Sequence, residues 1–374
     1  MKLFDVYPLY DVTPVKALGI EVWDEKGQKY LDYYGGHAVI SIGHTHPHYV
    51  KRIKDQLEQM AFYSNSVQNP LQEALAKKLG ELSGCENYDL FMCNSGAEAN
   101  ENALKMASFH NGKSKVIAFS NSFHGRTSAA VAATDNPSIN APINRQQEVT
   151  FLTLNDFDAF EKAIETGTYC AVILEAIQGV GGLDEPTTEF FQFIADKCKE
   201  HHVVLIADEV QSGYGRSGKF FAFQHHGIEP DIISIAKGMG NGFPVGGILI
   251  HEKFKPSYGL LGTTFGGNHL ACAASLAVLE VLEDEHLIEN ASTLGSYFKE
   301  KAAEIPEIKK VKGRGLMIGL EFDFEVAELR KKMIMEQHIF TGSAKNKKLL
   351  RFLPALNITK NDIDLFFEAL KKAL

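Results

Sequence analysis

Three continuous apolar runs in the middle of the chain each stop at a charged side chain. Residues 170–174 end at Glu175, residues 203–207 at Asp208 and residues 232–236 at Lys237. Unbroken apolar runs of this length mark strands buried on both faces, whereas alternation marks half-exposed ones. Residues 115–119 and 247–250 read the same way. Between the runs lie helical patterns, such as Phe190, Phe193, Ile194 and Cys198 within residues 189–201. Strand and helix in alternation predict an α/β fold with a mostly parallel central sheet covered by helices. Such sheets bind ligands at the carboxyl ends of their strands, where these three charges fall.

At 374 residues the chain is long for one core, so two domains are expected. The last third changes character. It is helical over residues 286–305, has a short strand candidate at 316–322 and closes in an amphipathic helix from Asn361. The expected division is an N-terminal segment, 1–50, packing with a small α+β domain, 271–374, around a large ligand-binding domain, 51–270. The net charge of −9 gives no basic field for nucleic acid. No apolar run has membrane-spanning length, and the opening residues, with Asp5 among them, do not read as a secretory signal. Five scattered cysteines without a Cys-x-x-Cys pair fit reduced thiols in a cytoplasm, and suggest no metal site.

Lys237 follows its strand and precedes Gly238-Met239-Gly240. A lysine at a strand end is ordinarily a surface residue. In a desolvated pocket its pKa falls and the amine becomes a nucleophile. Asn94-Ser95-Gly96-Ala97-Glu98 suggests a capped helix start, with Ser95 and Glu98 at capping-box spacing. Gly96 and Ala97 lack bulk, so their amides could face a phosphate, although a capped helix without ligand is the commoner meaning of such a pattern.

Together these parts resemble the pyridoxal-phosphate enzymes of fold type I, and more narrowly the class III aminotransferases. The resemblance spans nearly the whole chain. It rests on Gly43-His44-Thr45-His46-Pro47, Asn94 to Asn100, Phe123-His124-Gly125-Arg126-Thr127, Asp208-Glu209-Val210-Gln211, Ala236-Lys237-Gly238, Thr264-Phe265-Gly266-Gly267-Asn268 and Arg351-Phe352-Leu353-Pro354. Within that class the third and last of these are most similar to the acetylornithine branch of arginine biosynthesis. The resemblance implies pyridoxal 5'-phosphate bound through Lys237, with Asp208 on the pyridine nitrogen. Gln211 would sit near the phenolic oxygen and Phe123 on the ring, with His124 and Glu175 beside them. Ser95, Gly96 and Ala97 would hold the phosphate. Thr264 would complete that site from the second subunit, so a homodimer is implied. Arg126 and Arg351 would read carboxylates, of an N-acylornithine and of 2-oxoglutarate or glutamate respectively.

Two departures stand out. Relatives carry a second acid five residues after the glutamate matching Glu175; here it is Val180. His37 falls at a substrate-lining position where relatives have isoleucine or tyrosine. Arg351 is therefore expected to lack its usual acid, and some other anion to sit beside it. Val180 and His37 together suggest a donor with an extra negative charge, N-succinylornithine as much as N-acetylornithine. Ornithine and 4-aminobutyrate remain alternative donors. Residues 213–218 spell Gly-x-Gly-x-x-Gly, but five residues separate them from their strand, against a nicotinamide site. His201-His202 and His225-His226 read as helix-end surface pairs.

Overall fold

The computed structural model describes all 374 residues. Its centre is a seven-stranded sheet in the order Tyr88–Cys93, Gly246–His251, Ile232–Ile235, Val204–Asp208, Tyr169–Leu174, Lys115–Phe119 and Val149–Leu152. Gly246–His251 is antiparallel to both neighbours, and the remaining pairs are parallel. The three strands that end in charges stand side by side at the middle. Every residue of Tyr169–Leu174, Val204–Asp208 and Ile232–Ile235 is buried, which is why their sequence does not alternate.

The outer strands Tyr88–Cys93 and Val149–Leu152 escape the sequence reading. They are only partly buried and mix polar with apolar residues. Helix Thr188–Glu200 covers one face through Phe190, Phe191, Ile194 and Cys198. Helix Gly96–Asn111 covers the other through Ala99, Ala103, Leu104 and Ala107.

Near the C-terminus, strands Lys310–Arg314, Met317–Glu321, Leu349–Phe352 and Gly342–Ser343 form an antiparallel sheet. It is backed by helices Leu287–Ala302 and Lys360–Ala373. Phe298, Phe352 and Phe366 meet there, with ring centroids 4.2 to 5.6 Å apart. Strand Ile339–Phe340 instead leaves to pair with Lys29–Asp32 of the N-terminal segment. Residues 213–218 are turns and open no helix. No helix is long and apolar enough to cross a membrane.

Arg216 ties these parts together. It is fully buried and donates to the carbonyls of Pro354, Leu316 (3.4 Å) and Ile40 (3.4 Å). Burial pulls its pKa down to about 9 against the opposing field of Asp32. The surface reading of His225-His226 is wrong for the second member. His226 is buried, its Nδ1 3.1 Å from Thr188 Oγ1, because its turn packs under helix Thr188–Glu200.

Candidate active site

A cavity of about 370 Å³ opens at the carboxyl ends of the central strands. Asp208, Lys237 and Glu175 all line it. Asp208 is 4% exposed. Its Oδ2 accepts from Asn100 Nδ2 (2.8 Å) and lies 2.7 Å from His124 Nδ1. Its Oδ1 accepts from the Val210 amide at 3.0 Å. The carboxylate is thus fixed in direction, with no lysine or arginine in contact.

Glu175 sits one strand over. Its oxygens accept from the amides of Phe123 (3.0 Å) and Gly179 (2.8 Å). Burial, with Asp208 nearby, pushes its pKa up to about 7 against the pull of His124 and these amides. Burial lowers the pKa of Lys237, while the fields of Asp208 and Glu175 oppose the shift. The Lys237 side chain keeps some surface, but that surface faces the cavity. Its backbone holds φ +45°, a left-handed conformation that an L side chain rarely adopts. Such strain costs roughly 1–3 kcal/mol and gathers where a structure needs one side-chain direction.

The opposite wall is the start of helix Gly96–Asn111. Ser95 caps it, its hydroxyl accepting from the Glu98 amide at 3.2 Å. The capping box takes a different form from the expected one. Glu98 reaches back to the amide and side chain of Asn94, at 3.0 and 2.9 Å, rather than to the Ser95 amide. The amides of Gly96 and Ala97, at the first helical positions, have no partner in the chain. A Cβ on Gly96 would lie 2.6 Å from Val210 Cγ1, so the close approach there requires glycine.

Phe123, His124, Arg126, Val180 and Gln211 also line the cavity, whereas His37, Arg351 and Thr264 do not. Arg126 is exposed at the mouth. Thr264 is exposed on a surface loop outside its own chain's cavity. Arg351 is one layer behind, 2% exposed. It donates to the carbonyls of Ser343 (2.6 Å) and Gly179 (2.7 Å), to Gln211 Oε1 (3.3 Å) and to the Tyr34 hydroxyl (3.1 Å). The anion expected beside Arg351 is absent; neutral oxygens take its donors instead. Gln211 also donates to the His37 carbonyl at 3.1 Å, which connects this layer to the cavity.

Two polar partners were not read from sequence. Asn100 is a polar residue within the buried apolar stripe of its helix, a signal that could have found it. Tyr34 had no such signal, since its link to Arg351 joins residues 317 apart.

These residues suit a phosphorylated pyridine aldehyde. The unpartnered helix amides would hold a phosphate, the buried Asp208 carboxylate, free of lysine and arginine, would hold a protonated ring nitrogen, and the Lys237 amine, its pKa lowered by burial, would meet the aldehyde. Fold and site define a pyridoxal-phosphate-dependent transferase of fold type I. Residues 6–374 match the family model described as aminotransferase class-III. The chain is 41% identical to the acetylornithine aminotransferase of Bacillus subtilis (strain 168), over all of this chain and 97% of that one. It is 40% identical to the acetylornithine aminotransferase of Methanocaldococcus jannaschii, over 98% of this chain and 94% of the relative. Among solved structures it resembles the ornithine aminotransferase of Toxoplasma gondii ME49, with a TM-score of 0.90 at 28% identity, covering 98% and 91% of the two chains. The chain belongs to the class III aminotransferases.

Proposed function

We propose that this enzyme moves the δ-amino group of an N-acylornithine to 2-oxoglutarate, giving N-acylglutamate semialdehyde and glutamate, within arginine biosynthesis. The observation that carries the reading is the pair of arginines without acids. Arg126 stands free at the cavity mouth and Arg351 lies behind Gln211. Each guanidinium offers a planar fork to a carboxylate. Full-length likeness to proteins named acetylornithine aminotransferase supports the same donor class.

Bound pyridoxal phosphate supplies an electron sink for the carbon that loses its proton. The chain does the rest. Lys237 would hold the cofactor, and its Nζ, whose pKa burial lowers, would take a proton at one carbon and return it at another. Asp208, oriented by Asn100 and His124, would accept from the ring nitrogen. Phe123 would cover a ring face and Gln211 would adjoin the phenolic oxygen, both lining the cavity. Ser95, Gly96 and Ala97 would bind the phosphate from one subunit, and Thr264 would do so from its partner in a homodimer. The exposed apolar rings of Phe62 and Phe265, 5.5 Å apart beside Thr264, support such an interface. Five free, buried cysteines fit a cytoplasmic setting.

We further propose N-succinylornithine as a donor equal or superior to the acetyl compound. Val180 lines the cavity where an acid would repel a third carboxylate. His37 contributes as a neutral donor, since burial and the charges of Arg351, Lys237 and Arg330 push its pKa down to about 4. A purified-enzyme assay with 2-oxoglutarate tests the reading against N-acetylornithine, N-succinylornithine, ornithine and 4-aminobutyrate. The N-acyl donors should exceed the others in kcat/KM; preference for a free amino acid would overturn it.

A further inference from the structure

Of the three charges that end the central strands, Asp208 and Lys237 have tasks toward the cofactor and Glu175 has none. Yet Glu175 lines the same cavity, 6% exposed. Its hydrogen-bond partners are two backbone amides, and neither lysine nor arginine bonds to it. The Asp208 carboxylate adds repulsion from the next strand. A carboxylate is costly to bury in such company, so it persists where both of its oxygens are needed.

The two amides belong to different walls of the cavity. Oε1 accepts from Phe123 at 3.0 Å, on the loop that follows strand Lys115–Phe119, and Phe123 lines the cavity. Oε2 accepts from Gly179 at 2.8 Å. The Gly179 carbonyl in turn accepts from Arg351 Nη1 at 2.7 Å, and a Cβ on Gly179 would lie 1.9 Å from Gln211 Oε1. One side chain therefore fixes the backbone under the ring-facing phenylalanine and the backbone that holds the buried arginine. Glutamine could not do both, because it offers one acceptor oxygen and would turn an amino group toward the second amide. The two loops also meet elsewhere. Gln178 Nε2 donates to the Ser120 carbonyl at 2.8 Å, and a Cβ on Gly181 would lie 2.6 Å from the Asn121 carbonyl oxygen. Those contacts close the seam between the loops but bond to neither Phe123 nor Arg351.

We propose that Glu175 is a positioning residue that sets the cofactor's ring wall and the Arg351 carboxylate site together, through the amides of Phe123 and Gly179. This rests on the reading in which Phe123 covers the ring and Arg351 takes a carboxylate of 2-oxoglutarate.

The test uses the holoenzyme and glutarate, which carries the two carboxylates of 2-oxoglutarate without its keto group. Glutarate is titrated by calorimetry, and the visible circular dichroism of the bound cofactor is recorded beside it. Glu175→Met, of similar length but without an acceptor, should weaken glutarate binding about tenfold, the scale of one lost buried hydrogen bond, and diminish the visible band. Glu175→Gln, which can serve one amide, should move at least one of the two readouts, and decides alone if the methionine variant does not fold. Gln178→Ala loosens the same seam and should lower Tm while both readouts stay native. If Gln178→Ala moves both as far as the Glu175 variants do, Glu175 is merely structural and the proposal fails. It fails equally if the Glu175 variants bind glutarate as the native enzyme does and keep its visible band. If the native holoenzyme does not bind glutarate, the carboxylate reading of Arg351 falls first and the proposal falls with it.

Discussion

The two ends of the cavity are built differently. At the ring end, Asp208, Asn100, His124 and Glu175 are buried and bonded to one another or to nearby amides within one chain, with only Asn100 Oδ1 and His124 Nε2 left without a partner. At the tail end, the amides of Gly96 and Ala97 are unpartnered and Thr264 is exposed outside its own chain's cavity. The ring end rests on the buried strand ends of the core. The tail end is a half-buried helix start whose first amides have no partner in the chain. The contrast teaches that chemistry and cofactor retention should be separable by mutation.

The largest effect is expected at the ring end. Asp208→Ala should cut kcat by about 10²–10³-fold, the size seen when one preorganised electrostatic contact is lost. The Kd for the cofactor should move far less, as equilibrium dialysis would show. The converse variant, Gly96→Val, pushes side-chain atoms into Val210 and displaces the helix start. Cofactor affinity should fall about tenfold or more, with kcat at saturating cofactor reduced less than in Asp208→Ala. Equal losses in both parameters for both variants would break the comparison.

Next in size is Gly179→Ala. A Cβ at that position collides with Gln211 Oε1, and the Gly179 carbonyl also holds Arg351. KM for 2-oxoglutarate should rise about tenfold, with less change for the amino donor. Thr264→Ala sharpens the contrast from outside. Dilution of the native protein should release cofactor as subunits separate, and the variant should bind cofactor weakly at every concentration.

The smallest effect is a slope. The pKa of Glu175 is raised to about 7 in the folded chain, from an ordinary value near 4.5. Between those values the folded state holds more protons than the unfolded one, so stability falls as pH rises through that window. The contribution is present below about pH 4.5 and lost above about pH 7, and amounts to at most roughly 3 kcal/mol. Urea unfolding of Glu175→Gln should show a flatter dependence across that range than the native protein.

The ring end was also the more legible end. Glu175, Asp208 and Lys237 terminate runs so apolar that only a buried strand could hold them, and a charge there must meet a pocket. Edge strands Tyr88–Cys93 and Val149–Leu152 carry no such signal, because partial exposure relaxes their pattern. The Arg351 layer was half legible. The absence of an acid at Val180 could be read, but not what replaces it, since the carbonyls of Ser343 and Gly179 become partners only through packing.

The most direct test of the central claim is chemical. Borohydride reduction of the holoenzyme, followed by digestion and mass spectrometry, should place a phosphopyridoxyl group on Lys237 and abolish turnover. An unmodified Lys237 in enzyme that remains fully active would contradict it.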